Sequence, residues 1–427
     1  MLTSDVVLKS EIVIATYKIF DSFLLKKNMN PNIYSECPSP PLDFVSTFWI
    51  TALLRIARCN GEYKVINVSS CHLHLPIEDL DHTEKPSGGL PSDIMSPNAK
   101  PEEPDAVVGK LDELREGAEV KGDCESPANQ PPPWLDKERF YRAREIFKNH
   151  FFSIFFSHLA GLMLIVHIPS MTGPLMSTGN SANIVCLFRR YLSTLVHIRR
   201  WYEGDIWNPD DPAHQSITMV RGMHKRVADK INGPSACRRR CPAVSQYDMA
   251  LTQFAFVGLI ILHPKHVGLH CSKEDLECLI HFWRGIGYML GVEDRYNLCN
   301  GNLEETVAIC KDIMDAELRP SVQNARKEST TMSRGIIKAM NSFIIFLSWE
   351  AMARFWYEQM DMPCKFPMGI YECTGYWLMR FTFGWLLRFR IFHRFFNYLL
   401  RIAVKQALDS KEYYEGYLVR YHNITNV

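Results

Sequence analysis

The chain lacks every short signature that announces a common enzyme chemistry. It has no phosphate-binding glycine loop, no G-x-S-x-G elbow, no H-E-x-x-H helix and no G-x-G-x-x-G turn. Hydrolase, kinase and Rossmann readings therefore have no local support. It also lacks a charge imbalance: 48 basic against 47 acidic side chains give +1, so no global field points to nucleic acid. No C-x-x-C occurs among the 13 cysteines, and an odd number without pattern fits reduced, mostly buried thiols in an intracellular setting. Cys237 and Cys241 flank Arg238, Arg239 and Arg240, which would repel a cation. The sequons Asn67-Val68-Ser69 and Asn423-Ile424-Thr425 point only weakly to a lumenal face. Asp5 and Lys9 come early, with no clean apolar run after a basic start, so the beginning does not read as a signal peptide. No alternating apolar–polar run or hairpin signal is found, and the predicted fold class is all-α, a large helical domain.

What is present divides into four stretches. Residues 1–77 give no clear fold; Phe44 to Ala57 is apolar but too short to span a bilayer. Residues 78–131 shift to Pro, Gly, Ser, Asp and Glu, which predicts a disordered linker because too little apolar surface is available to offset ordering entropy. Residues 132–370 carry the predicted helical domain. Within it, Asn149 to Phe188 contains no Asp, Glu, Lys or Arg. Its 151–168 portion suits either a membrane span or the central helix of a large helical domain, with Ser153, Ser157, His158 and the following Pro169 on the side of the latter. Helices are predicted over the segment bearing Arg190 to Trp201 and over about 216–231, 245–263, 272–290, 303–316 and 334–358, with Ser272 and Asp275 spaced as a capping box. Residues 371–427 form a basic, aromatic tail in which Cys373 to Leu408 lacks any acid. Two readings fit it, a helix lying on an anionic membrane surface and a terminal helix packed with its arginines outward.

Chemistry is to be sought where polar residues share a face of an apolar helix. At 100° per residue, Arg190, Thr194, His197 and Trp201 fall within roughly 60° of one another. On the next helix Arg221 and His224 share a face, and His224 borders the apolar side made by Val220, Met223, Val227 and Ile231. A histidine placed there suits an axial haem ligand, with Arg221 on a propionate or a reacting oxygen; a satisfied core histidine beside a surface arginine is the plainer reading. Glu203 and Asp205, between the two helices, are candidate general bases if carried into a desolvated pocket. His281 lies off the core stripe of its own helix, with Glu277, Arg284 and Tyr288, and is not expected to be a ligand.

In order along the chain come Pro132-Pro133-Trp134, Gly161-Leu162, Thr178-Gly179, Arg190-Tyr191-x-x-Thr194 and Arg221-x-x-His224-x-x-Val227. They are followed by Asp248-Met249-Ala250-Leu251-Thr252-Gln253, His281-x-Trp283-Arg284-x-x-Gly287 and Leu290-Gly291-Val292-Glu293-Asp294. From about Pro132 to residue 316 this order resembles the rubber oxygenase (latex-clearing protein) and ER-bound MpaB-type oxygenase family, whose animal members look closest. The resemblance implies an all-α fold holding haem b, and oxidative cleavage of an apolar isoprenoid or lipid chain by dioxygen at a membrane such as that of the endoplasmic reticulum. It implies an iron held by His224, with Arg190, Thr194 and His197 around the cofactor and Arg221 with Glu203 or Asp205 in catalysis. Where many bacterial relatives have a histidine on the 248–262 helix, this chain has none. The alternative is a haem-free, membrane-associated helical protein in which the same polar residues form a structural network.

Overall fold

The computed structural model describes residues 105–128, 130–179, 181–233, 241–344, 347–422 and 424, and among these there is no strand. An isolated antiparallel bridge joins Lys121 to Ser245. Helix α1 (Asp105–Glu116) buries Leu111 and Leu114, and Asp123 beyond it reaches Arg221. This corrects the expected linker over 78–131: residues 105–128 pack on the domain. Residues 1–77, their apolar stretch and first sequon, Cys237 with its arginines, and Asn423 lie outside the described residues.

Helix α2 (Lys137–Asn149) starts where the Asp136 carboxylate accepts from the Arg139 N–H. The apolar run then forms α3 (Phe151–Ile165), bent by 94° into α4 (Pro169–Ser177). Proline at the start of α4 cannot continue the preceding helix, so the chain turns there. Among the described residues no single helix is long and apolar enough to cross a membrane; only this bent pair passes jointly. Helix α3 is buried on nearly every side, as a central helix must be.

Helix α5 (Ile184–Glu203) is capped by Asn183, and α6 (Pro212–Ile231) by Asp211. Helix α7 (Gln246–Leu262) contains a π turn at Phe254–Gly258. Helix α8 (Lys273–Met289) has the reciprocal Ser272–Asp275 capping box that the spacing predicts. Helices α9 (Leu303–Ile313), α10 (Lys327–Asn341) and α11 (Trp349–Gln359) follow, so the one helix expected near 334–358 is two. Helices α12 (Ile370–Gly384), α13 (Arg390–Asp409) and α14 (Lys411–Tyr421) complete the chain.

These last three are not a detached tail. Tyr376, Trp377 and Phe381 of α12 are fully buried. Asn397 of α13 accepts from the Phe152 N–H at 2.8 Å and donates to the Asn149 carbonyl at 2.7 Å, splicing the junction of α2 and α3. The body of 371–427 therefore packs on the rest of the domain.

Helix α3 crosses the π turn of α7 at Gly161, where a Cβ would lie 1.7 Å from the Ala255 carbonyl oxygen. Only glycine permits that approach. A sealed polar seam lies behind the crossing. Gln253 donates to the Trp283 carbonyl and to Asn297 Oδ1, each at 3.0 Å, and accepts from the Leu298 N–H at 3.1 Å. A Cβ on Gly287 would meet Gln253 Nε2 at 2.3 Å. Gln246 likewise donates to the Gly291 carbonyl and accepts from the Glu293 N–H. Much of the motif block over 246–294 is thus committed to holding α7 against α8.

Candidate functional site

Helix α5 serves two different surroundings, and the site is built on that division. Its Tyr191, Leu195 and Ile198 side turns to α3 and borders a cavity whose empty space, mouth included, is about 450 Å³. The walls are almost wholly apolar: Phe147, Phe151, Phe155, Leu159, Leu162, Phe256 and Met340 complete them. Besides Tyr191, two polar, ionisable side chains line it, His158 and Arg199, with the Thr194 hydroxyl at its edge.

His158 was visible in the sequence only as one polar residue in an apolar run. It is buried, and its Nε2 has no hydrogen-bond partner among the described residues. The ring meets Phe256 and Trp283 edge-on, with centroids at 5.2 and 5.6 Å. Burial without any compensating charge pushes its pKa down to about 3, so the imidazole is neutral. Leaving a buried donor or acceptor unmade costs about 1–3 kcal/mol. Nearby, Tyr202 is sandwiched between Phe147 and Phe282 at 4.0 and 4.1 Å and accepts from Trp283 Nε1 at 2.9 Å, which fixes this wall.

The other side of α5 faces α6 and carries the polar stripe. Arg190 donates from Nη1 to the Leu175 carbonyl at 3.2 Å and to Ser181 Oγ at 3.1 Å, tying α4 and the following turn to α5. Thr194 donates to the Arg190 carbonyl and, lining the cavity too, stands where the two surroundings meet. His197 Nδ1 lies 2.7 Å from Ser216 Oγ, which also accepts from Trp201 Nε1 at 3.1 Å. His224 comes from α6. The residue is half-buried, but its Nδ1 is buried and unpartnered. Desolvation, then the nearby Arg190 charge, bring its pKa down to about 4 against a smaller opposite pull from Asp123.

Arg221 is placed differently from the sequence expectation. Its guanidinium grips the Asp123 carboxylate, Nε at 3.0 Å and Nη2 at 2.5 Å, and Nη1 donates to the Ser126 carbonyl at 2.8 Å. Burial raises the Asp123 pKa, but the Arg221 hydrogen bonds, the Glu125 N–H and the Lys225 charge outweigh it and hold the carboxyl below its usual range. Arg221 is a clamp on the 117–128 segment, its charge paired with Asp123 rather than open to a propionate or reacting oxygen.

The two candidate bases are also spent. Glu203 is exposed and divides its carboxylate between Arg199 at 3.0 Å and Arg401 at 3.2 Å. Asp205 accepts from the Tyr141 hydroxyl at 3.2 Å and the Trp207 N–H at 3.0 Å. Neither lines the cavity. His281 accepts from the Asp136 N–H at 2.9 Å under Trp134, which also covers Arg284 at 4.1 Å. Its face is covered by the 132–136 turn, yet its nitrogen is used structurally.

A haem needs a neutral imidazole with a free nitrogen and a cation for its carboxylates. His224 and Arg190 fit those two requirements. Arg221 is engaged by Asp123, and His197 has its Nδ1 held by Ser216 and keeps its Nε2. No group of three or more His, Cys, Asp or Glu suited to a bare metal ion occurs among the described residues.

The family comparison places this all-α domain among oxygenases. Residues 145–382, more than half of the chain, match the family described as "ER-bound oxygenase mpaB/B'/Rubber oxygenase, catalytic domain". The chain belongs to this family. The match extends past the 316 limit of the recognisable motifs to take in α10, α11 and most of α12. A solved structure, "Structure of Latex Clearing Protein LCP in the closed state", is similar at 18% identity and a TM-score of 0.44, covering 68% of this chain and 85% of that one. No curated protein matches the chain.

Proposed function

We propose that the protein is a haem-dependent oxygenase that uses dioxygen on an apolar isoprenoid or lipid chain. The observation that carries this reading is the buried, unpartnered Nδ1 of His224 beside Arg190, in a chain of the oxygenase family. Burial keeps that imidazole neutral, the form in which it ligates iron. Arg190 supplies the charge for a propionate, and Thr194 links the two sides of α5. The haem iron, when bound, supplies dioxygen activation. The chain's own part is to hold the substrate along Phe151, Phe155, Leu195 and Ile198 and to keep water from it. Neither Glu203, Asp205 nor Arg221 takes a catalytic role in this reading, because each is spent on other partners.

The proposal includes a membrane surface. Phe389 and Ile391 at the start of α13 are 47% and 60% exposed, among exposed Arg388, Arg390 and Arg394. Apolar side chains ringed by cations suit an anionic leaflet.

The test is the visible spectrum of the purified full chain after addition of haem b. A Soret band lost or shifted in His224→Ala, with weaker haem retention in Arg190→Met, supports the reading. A chain that stays colourless sinks it. Flotation with anionic vesicles, weakened by salt and by Arg390→Glu, checks the surface. The engagement of Arg221 by Asp123 and of His197 Nδ1 by Ser216 favours a second reading, a haem-free membrane-associated protein whose polar stripe only braces α5 against α6. The same spectrum decides between them.

A further inference from the structure

A second cavity opens on the face of α8 that carries Glu277, His281 and Arg284, with Arg139 of α2 across from them. It shares no lining residue with the cavity between α3 and α5. The cavity itself offers about 120 Å³. At about 15 Å³ for each water-sized group, that admits up to about eight non-hydrogen atoms, too few for a lipid chain. Its polar groups are only half used. His281 Nε2 accepts from the Asp136 N–H at 2.9 Å, and burial lowers the pKa of the ring, so the neutral imidazole carries its proton on Nδ1. That N–H has no hydrogen-bond partner among the described residues and is not sealed from solvent. Arg284 spends Nε and Nη2 on Asp294, at 2.9 and 2.6 Å, and keeps Nη1. Arg139 stands 3.7 Å from Asp136 and 4.0 Å from Glu277, too far to hydrogen-bond either.

Charge decides what fits among these groups. Asp294 balances Arg284, which leaves Arg139 shared loosely between Asp136 and Glu277. A bare anion would face the Glu277 carboxylate, and a bare cation would face the Arg139 guanidinium. A ligand with one charge of each sign meets both. Beneath them, Ile280 and Cys299 are buried, and burial keeps the thiol uncharged, so the floor is small and apolar.

We propose that this cavity binds a small α-amino acid as its zwitterion. The carboxylate accepts from Arg139 and from the His281 Nδ1–H, with Arg284 Nη1 beside it. The ammonium donates to Glu277. A methyl or hydroxymethyl side chain rests on Ile280 and Cys299, and longer acidic or aromatic side chains exceed the space. The site goes beyond the oxygenase reading and does not depend on it.

The test is calorimetric titration of the purified full chain at neutral pH with glycine, alanine and serine. Acetate, propionate and methylamine, which offer one charge alone, are titrated beside them. The expected result is saturable one-to-one binding of at least one of the amino acids with a Kd of about 1 mM or tighter, each single-charge compound being about tenfold weaker or more. Glutamate and phenylalanine do not bind. Glu277→Gln brings alanine down to the level of propionate, and Arg139→Gln weakens the amino acids about tenfold or more. Both side chains reach the surface, so urea unfolding of the two variants stays close to that of the parent chain. No saturable binding of any of the three amino acids below about 10 mM overturns the proposal. So does acetate bound as tightly as glycine, which marks a plain anion site, and so does a preference for alanine over propionate that survives Glu277→Gln.

Discussion

Two groups of buried polar side chains lie within the same helical core, and they are treated in opposite ways. In the seam between α7 and α8, Gln253 and Asn297 spend their amide groups on named partners, from the Trp283 carbonyl to the Leu298 and Cys299 N–H groups. Across α3 and α5–α6, His158 and His224 each keep a buried nitrogen with no partner. A satisfied network fixes one arrangement of helices, whereas an unsatisfied group is a standing cost that a ligand removes. The seam is architecture; under the proposed function the two imidazoles are where a bound group would be met.

Acid should break the comparison most severely. His150, His167, His224 and His263 have pKa values lowered to about 4, and His158 to about 3, burial being the first cause in each. Unfolded, each returns to about 6.5, so below that value the unfolded chain binds more protons than the folded one. Stability is full above about pH 6.5 and falls as pH drops toward 4. Each histidine costs about 1.4 kcal/mol by one unit below its unfolded pKa. Several together exceed any one substitution, so the helical circular-dichroism signal should collapse cooperatively within that window. His158→Phe and His224→Ala should each flatten the slope by one proton. A chain equally stable at pH 7 and pH 4.5 would refute the buried-neutral state of these rings.

The next largest effect belongs to the seam. Gln253→Leu is close in size but strands the Leu298 N–H, the Trp283 carbonyl and part of Asn297, at about 1–3 kcal/mol for each buried orphan. A total loss of about 3–5 kcal/mol is expected, read from urea unfolding with an unchanged m-value. A loss below about 1 kcal/mol would mean that water reaches the seam, and the contrast with the imidazoles would fail.

Legibility in the sequence followed the same division. Helical period and caps were readable because they are local: the Ser272–Asp275 box stands where the spacing puts it, whereas of the turn expected at Pro174, Thr178-Gly179 and Ser181, Pro174 lies inside α4. The shared face of Arg190, Thr194, His197 and Trp201 was readable too, since one helix fixes it. What was not readable depends on distant partners. Asp105–Ser126 has the composition of a linker, yet Leu111, Leu114 and Asp123 find their places only against α6, α7 and α9. Asn397 looks like one polar residue in an aromatic helix until the α2–α3 junction is beside it. Arg221 pointed to a cofactor for want of a visible counter-charge, and that counter-charge sat in the presumed linker. His158 gave one signal, an imidazole in a run without charges, and that signal alone does not separate a satisfied core histidine from an open one.

That last ambiguity yields the smallest and most discriminating effect. Most substitutions of a buried residue destabilise, and removing a hydrogen-bonded core histidine would follow that rule. His158 has no such bond to lose, and its aromatic neighbours accept a phenyl ring of similar size. His158→Phe at pH 7.5 should therefore leave stability unchanged or raise it by about 1–2 kcal/mol, the cost of the orphan removed. If His158→Phe instead costs several kcal/mol in urea unfolding, the imidazole is a structural partner after all, and the line drawn between seam and cavity disappears.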